Sequence, residues 1–283
     1  MTARGGGGLR HAAPTPAGSR WGLRPAAAPR ASPPARAAGG GPAARARPRP
    51  AAADQLLATV RAEPGSELHR LLALRVPDLI EYQNASYARG YSEFVEQVRL
   101  GETERAPGST AFAEAVARNL YKLMAYKDEY EVARLSLDPD IRASVEAEFG
   151  RGARISYRLH PPVLRALGMR NKLELGPWFR PVYRALVGMR RVRGTRLDPF
   201  GAAGVRRTER ALITEYRATV TELLAGLSED TRPLAVEIAD LPDMVRGYET
   251  IKIENVERYR ASVTQLMADY RRASGAGGGA AEL

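Results

Sequence analysis

The sequence predicts a mainly α, multi-helix orthogonal domain with at most a short strand element, preceded by a disordered N-terminal tail. Three observations lead there. From about residue 54 to residue 272, large apolar side chains recur at three- and four-residue steps, the period of one helix face. Pro and Gly punctuate these runs at Pro64-Gly65, Pro107-Gly108, Pro139, Gly176-Pro177 and Pro242. Period-two alternation is convincing in one place, Ile155, Tyr157 and Leu159.

Residues 1–53 are a low-complexity mixture of Arg, Pro, Gly and Ala. The large apolar residues of the first fifty positions are Leu9, Trp21 and Leu23. Such a segment buries too little surface to offset the entropy of ordering it, so disorder is expected. Three readings of this tail stay open: a polyanion-binding arm, a transit peptide, and sequence that is not selected at all. The tail also dominates the charge. Residues 1–50 hold nine Arg and no acid, which leaves 34 Lys+Arg against 32 Asp+Glu in the rest, a net of +2. The folded part thus reads as near-neutral, with no basic-surface argument for nucleic acid.

The folded part is expected over 54–272, with a flexible end at 273–283. Gln55 to Val60 suggest a short helix. Ser66 can cap the next, which carries Leu68, Leu71, Leu72 and Leu74. Pro77 either starts a helix or kinks this one. From Ile80 the helical spacing runs to about Leu100, and Gly101 to Ser109 read as a polar connection. Thr110 to Leu137 then has no Gly or Pro and is expected as one buried helix. Its apolar stripe includes Phe112, Val116, Leu120, Leu123 and Met124 and takes in the Lys127 stem. Its outer face is laced with charge, including a Lys127–Glu131 pair one turn apart.

Ile141 to Phe149 is a short helix. Residues 155–159 form a strand or an extended segment, with no partner strand evident. Leu164 to Leu167 is a helical turn. Gly176-Pro177 opens a helix carrying Trp178, Phe179, Tyr183, Leu186, Val187 and Met189. The basic group Arg190, Arg191 and Arg193 is expected to complement the dipole at its C-terminus. Asp198 reads as a turn former before Pro199. Leu212 to Leu227 define a long amphipathic helix, in which Glu209 can pair with Arg206 or Arg210. Shorter helices follow from Thr231 and from Leu241, and a last one runs from Ile253 to Tyr270.

Chemical signatures are sparse. The chain has no cysteine, which excludes disulfides, thiolate metal sites and cysteine-held iron–sulfur clusters. His11, His69 and His160 are far apart. No phosphate-cradling glycine motif, nucleophile elbow or H-E-x-x-H is present. Asp128, Glu129 and Glu131 are close in sequence but point to different helix faces, and Glu237 and Asp240 read as a solvated face. Catalytic, cofactor-binding and metal sites are therefore all expected to be none. No apolar run is long enough for a membrane span and no h-region follows the N-terminal Arg residues, so a cytoplasmic location is expected.

Long strings in the folded part carry a resemblance. Ala117 to Arg134, ARNLYKLMAYKDEYEVAR, resembles a signature of the C-terminal domain of bacterial indolepyruvate ferredoxin oxidoreductases. Similar stretches follow that family's order at Leu74–Ala88, Arg158–Pro162, Val192–Gly201, Arg206–Tyr216 and Leu234–Lys252, covering about residues 69–270. The resemblance implies a helical accessory domain of uncharacterised function in a 2-oxoacid:ferredoxin oxidoreductase. The whole enzyme decarboxylates an arylpyruvate on thiamine diphosphate with Mg and passes electrons through iron–sulfur clusters. Those groups are implied for the resembled enzyme and not for this chain, whose expected partner is the catalytic portion, in a separate chain or parted from it by gene splitting. Pro77 falls where the family would have continuous helix, and Arg246 to Lys252 departs from a His-containing version. The competing expectation is a polyanion or nucleic-acid binder acting through the basic tail.

Overall fold

A computed structural model describes residues 50–150, 157–159, 173–175, 177–247 and 249–275, all within one compact unit, Arg45–Leu283. Ten α-helices occur among the described residues. They are α1 (Ala51–Ala58), α2 (Glu67–Tyr82), α3 (Ala85–Arg105), α4 (Ala111–Met124), α5 (Glu129–Leu137), α6 (Pro139–Phe149), α7 (Arg180–Met189), α8 (Gly204–Ala225), α9 (Arg232–Asp240) and α10 (Glu249–Ala273). Short 3₁₀ turns cover Pro177–Phe179, Arg190–Val192 and Leu241–Met244. The fold is mainly α, as the periodicity predicts. The expected N-terminal tail up to residue 49, the helical turn at Leu164 to Leu167 and the end past 275 lie outside the described residues, whereas residues 51–53, expected within that tail, open α1, with Ala53 buried in the core.

Helix α4 is the centre. Phe112, Ala113, Ala115, Val116, Ala117, Leu120, Leu123 and Met124 are all buried, so apolar contact surrounds most of the helix. That is the signature of a core helix. It packs against α2, α3, α8, α9 and the Leu241–Met244 turn. The small side chains of Ala113, Ala115 and Ala117 let neighbours approach closely.

Five further sequence expectations are corrected. The run Thr110 to Leu137 is two helices, broken at Ala125 to Asp128. Asp128 is the N-cap of α5, its Oδ1 accepting the Glu131 N–H at 2.8 Å. An acid followed three residues later by Glu is itself a helix-start signal. The break moves the chain to a second, smaller core, where Ala133 and Leu137 of α5 meet Phe179, Tyr183, Leu186 and Val187 of the α7 region. The Lys127–Glu131 pair does not form: Lys127 is exposed in the connector, and Glu131 binds Arg134.

The run from Ile80 to Leu100 is also two helices. It breaks at Gln83-Asn84, where the Asn84 side chain caps α3 by accepting the Tyr87 N–H at 2.9 Å. Conversely, Gly101 to Arg105 is not a connection but the last turn of α3. Glu102 is buried there, and its carboxylate accepts the N–H groups of Phe112 at 3.0 Å and Ala113 at 2.8 Å. It caps α4 from the preceding helix, where an anion also complements the dipole. Lastly, the strand has a partner: Tyr157–Leu159 pairs antiparallel with Leu173–Leu175. Leu173-Glu174-Leu175 shows too few alternating positions to be read as a strand alone.

Pro77 sits inside α2, neither starting nor ending it. Ser66 caps α2 as expected, accepting the His69 N–H. Tyrosine, at 12 residues against 5 Phe, has a recurring use. The hydroxyls of Tyr82, Tyr87, Tyr216 and Tyr270 donate to the carbonyls of Tyr126, Met124, Ala239 and Leu223. These acceptors lie at or just past the ends of α4, α9 and α8, where carbonyls have lost their helical partners. A buried phenol thus fills the core and satisfies a helix end together.

Candidate functional site

The stretches that carry the family resemblance meet in space. A cleft of about 980 Å³ is lined by residues of α2, α4, α5, α8, α9 and α10 and their connectors. Except for Leu135, every lining residue comes from Leu74–Ala88, Ala117–Arg134, Arg206–Tyr216 or Leu234–Lys252. Three of the chain's four lysines, Lys122, Lys127 and Lys252, are among them.

Most of its charges are tied to each other. Arg134 is the hub. It bonds Asp78 at 2.9 Å, Glu81 at 3.1 Å and Glu131 at 2.8 Å, while Tyr121 donates to the other Asp78 oxygen at 2.6 Å. This joins α2, α4 and α5. Lys122 donates to the Pro242 carbonyl and to both the carbonyl and side chain of Asp243, each at 3.0 Å. Asn119 and Arg118 bond Asp240 at 2.7 and 3.4 Å, holding α9 to α4. Arg206 bonds Glu209 at 2.7 Å and Glu129 at 3.2 Å, and Lys252 also bonds Glu209. Arg75 donates to the Ala117 and Arg118 carbonyls with its guanidinium 4.6 Å from the Tyr121 ring centroid.

Beside the cleft lies a buried ion pair. The Arg193 guanidinium meets the Asp128 carboxylate through Nε and Nη2, the latter at 2.8 Å, and donates to the Tyr82 carbonyl. It stacks 3.6 Å from the Tyr82 ring centroid, with the Tyr130 ring 5.4 Å away. The expected C-terminal basic group is therefore divided. Arg190 does cap, donating to the Val187 carbonyl, whereas Arg193 turns into the core. Asp198 is the expected turn former, accepting the Gly194 and Phe200 N–H groups, and it also receives the Tyr130 hydroxyl at 3.0 Å.

Burial sets the titration behaviour. It pushes Tyr121 up, helped by Asp78, and pushes Tyr126 up to about 12. Burial raises Glu129, opposed by Arg206. A general acid or base works best with a pKa near the working pH. The tyrosines move away from neutrality, and the shifted acid is held in an ion pair.

Of the acids singled out in the sequence, Asp128, Glu129 and Glu131 diverge to Arg193, Arg206 and Arg134. Asp240 faces Asn119, while Glu237 is exposed. His69 lies in α2; His11 and His160 fall outside the described residues. Sequence reasoning missed Arg193 and Glu102. The Asp128-Glu131 spacing would have shown the helix break, but no local signal marks the partner 65 residues on. Thiolate ligation of a cluster needs cysteine, and the chain has none. Among the described residues no group of three or more His, Asp or Glu is placed to hold a metal ion. No helix among the described residues is long and apolar enough to cross a membrane.

Fold and cleft together define a helical domain whose charged residues cross-link its own elements. The chain belongs to a family of unknown function, DUF6537, which matches residues 68–265. No curated protein and no solved structure matches the chain.

Proposed function

We propose that this chain is a non-catalytic, cytoplasmic accessory domain of an indolepyruvate-type 2-oxoacid:ferredoxin oxidoreductase. It packs against thiamine-diphosphate-dependent catalytic domains and stabilises their assembly. The carrying observation is the run of stretches from Leu74 to Lys252 that resemble that family in order. The cleft adds support. Those stretches converge on it, yet Arg134, Lys122, Arg206 and Lys252 are committed to acids of the same fold. Charges spent on cross-links hold a rigid body together and are not poised for turnover.

The test is co-purification of this chain with the thiamine-dependent catalytic portion, followed by assay of 2-oxoacid-dependent ferredoxin reduction with and without it. Association, with higher activity or longer-lived activity, is expected. No association and no change in rate or lifetime would sink the proposal.

A further inference from the structure

The near-neutral charge of the folded part is an average that hides a segregated segment. Residues 151–197 hold twelve Lys+Arg against one acid, Glu174, so the rest of the folded part is net acidic. Within this segment α7 and the Pro177–Phe179 turn before it carry two apolar stripes. One face, with Phe179, Tyr183, Leu186 and Val187, packs on α5. The other presents Trp178, Val182, Ala185 and Met189 at steps of four, three and four residues. Trp178 is 71% exposed, Val182 43% and Met189 41%, a stripe of roughly 15 Å along the helix. The two stripes adjoin, Val182 lying one turn from Leu186, so the apolar arc of this segment is wider than the face its own fold covers.

Arg184, Arg191 and Arg196 of the same segment are exposed, and none has an ion-pair partner among the described residues. Residues 177–197 contain no Lys, Asp or Glu. Trp, Met and Arg are enriched in protein interfaces, while Lys, Asp and Glu are depleted there. We infer that the outer face of α7 is a docking surface for a protein partner that presents an apolar patch beside carboxylates. The aliphatic centre favours protein over nucleic acid, whose interfaces are polar. A two-fold dimer through this face would set arginines against arginines. The inference rests on the accessory-domain reading for the identity of its probe.

That probe is the thiamine-dependent catalytic portion, titrated against the full chain at several salt concentrations. Trp178→Ala and the double variant Arg184→Glu/Arg191→Glu should each weaken binding about ten-fold or more. The arginine variant should also flatten the salt dependence. The charge-matched control Arg89→Glu/Arg258→Glu, exposed on α3 and α10, should bind as wild type. All altered residues are exposed, and circular dichroism checks that each variant folds; Trp178→Ala keeps the test readable if a charge reversal does not. Equal binding by wild type and both α7 variants overturns this surface while the accessory-domain reading stands. No binding by wild type overturns both. Binding of a labelled single-stranded RNA homopolymer that is lost in the arginine variant but kept in Trp178→Ala overturns the protein-partner assignment.

Discussion

Asp128 and Arg193 are 65 residues apart in sequence and meet inside the fold, with side chains only 3% and 2% exposed. Asp128 does two things with one carboxylate. It starts α5 by accepting the Glu131 N–H, and it neutralises the guanidinium that the Arg190–Val192 turn delivers. The pair fixes where the chain leaves the main core and enters the smaller one.

Removing one partner of a buried ion pair leaves an uncompensated charge, which costs about 3–5 kcal/mol. Asp128→Ala strands Arg193 and also removes the α5 cap. Arg193→Ala strands Asp128 and leaves the Tyr82 carbonyl without its donor. Urea denaturation should show losses of that size for both. The double variant should lose less than the sum, since each single change already breaks the contact.

Arg134 joins three acids from two helices, so its truncation is expected to leave Asp78, Glu81 and Glu131 facing one another. Arg134→Ala should destabilise by about 2–4 kcal/mol. Arg134→Lys should recover only part, because a single ammonium cannot match the fork of the guanidinium. Thermal melts of the two variants at moderate salt check the order.

Glu102 has its carboxyl raised by burial, opposed by the N–H groups of Ala113 and Phe112. An acid with a raised folded pKa favours the fold below its unfolded pKa and loses that contribution as pH rises through the folded value. Glu102→Gln removes this titration. Its cost should therefore be larger at pH about 4 than at pH about 7, read as the difference in unfolding free energy from wild type. An unchanged difference across that range would contradict the assignment.

Burial raises Tyr82, Tyr87, Tyr91 and Tyr216 as well as Tyr126, which stands at about 12. Below pH about 10 these phenols are neutral in both states; above it the unfolded chain ionises first and unfolding gains. The domain should lose stability as pH rises past about 10. Phenolate absorbance should then appear together with the loss of helical circular dichroism, not ahead of it.

A Cβ on Gly101 would lie 2.7 Å from Leu224 Cδ1 and 3.0 Å from its Cγ. Gly101→Ala should cost about 1–3 kcal/mol through overpacking between α3 and α8. Leu224→Val in the same chain should return part of the loss, and chemical denaturation of the four-member cycle measures the coupling.

The sequence by itself determined the helical class, the capping at Ser66, the stop at Pro139 and the apolar faces that became the core. These follow from period and from local backbone chemistry, which act over a few residues. It also carried the resemblance on which the proposed function rests. The tertiary structure decided the rest. It placed Arg193 against Asp128, sent the Glu102 carboxylate to another helix's N-terminus, and gave Tyr157–Leu159 its partner strand. It also gathered three lysines in one cleft and left one apolar face of α7 open. Each depends on groups far apart in the chain, and a side chain's periodicity is the same whether its partner is water or a distant residue. Burial chooses between them, since a charge or a carbonyl removed from water must find its answer elsewhere in the fold.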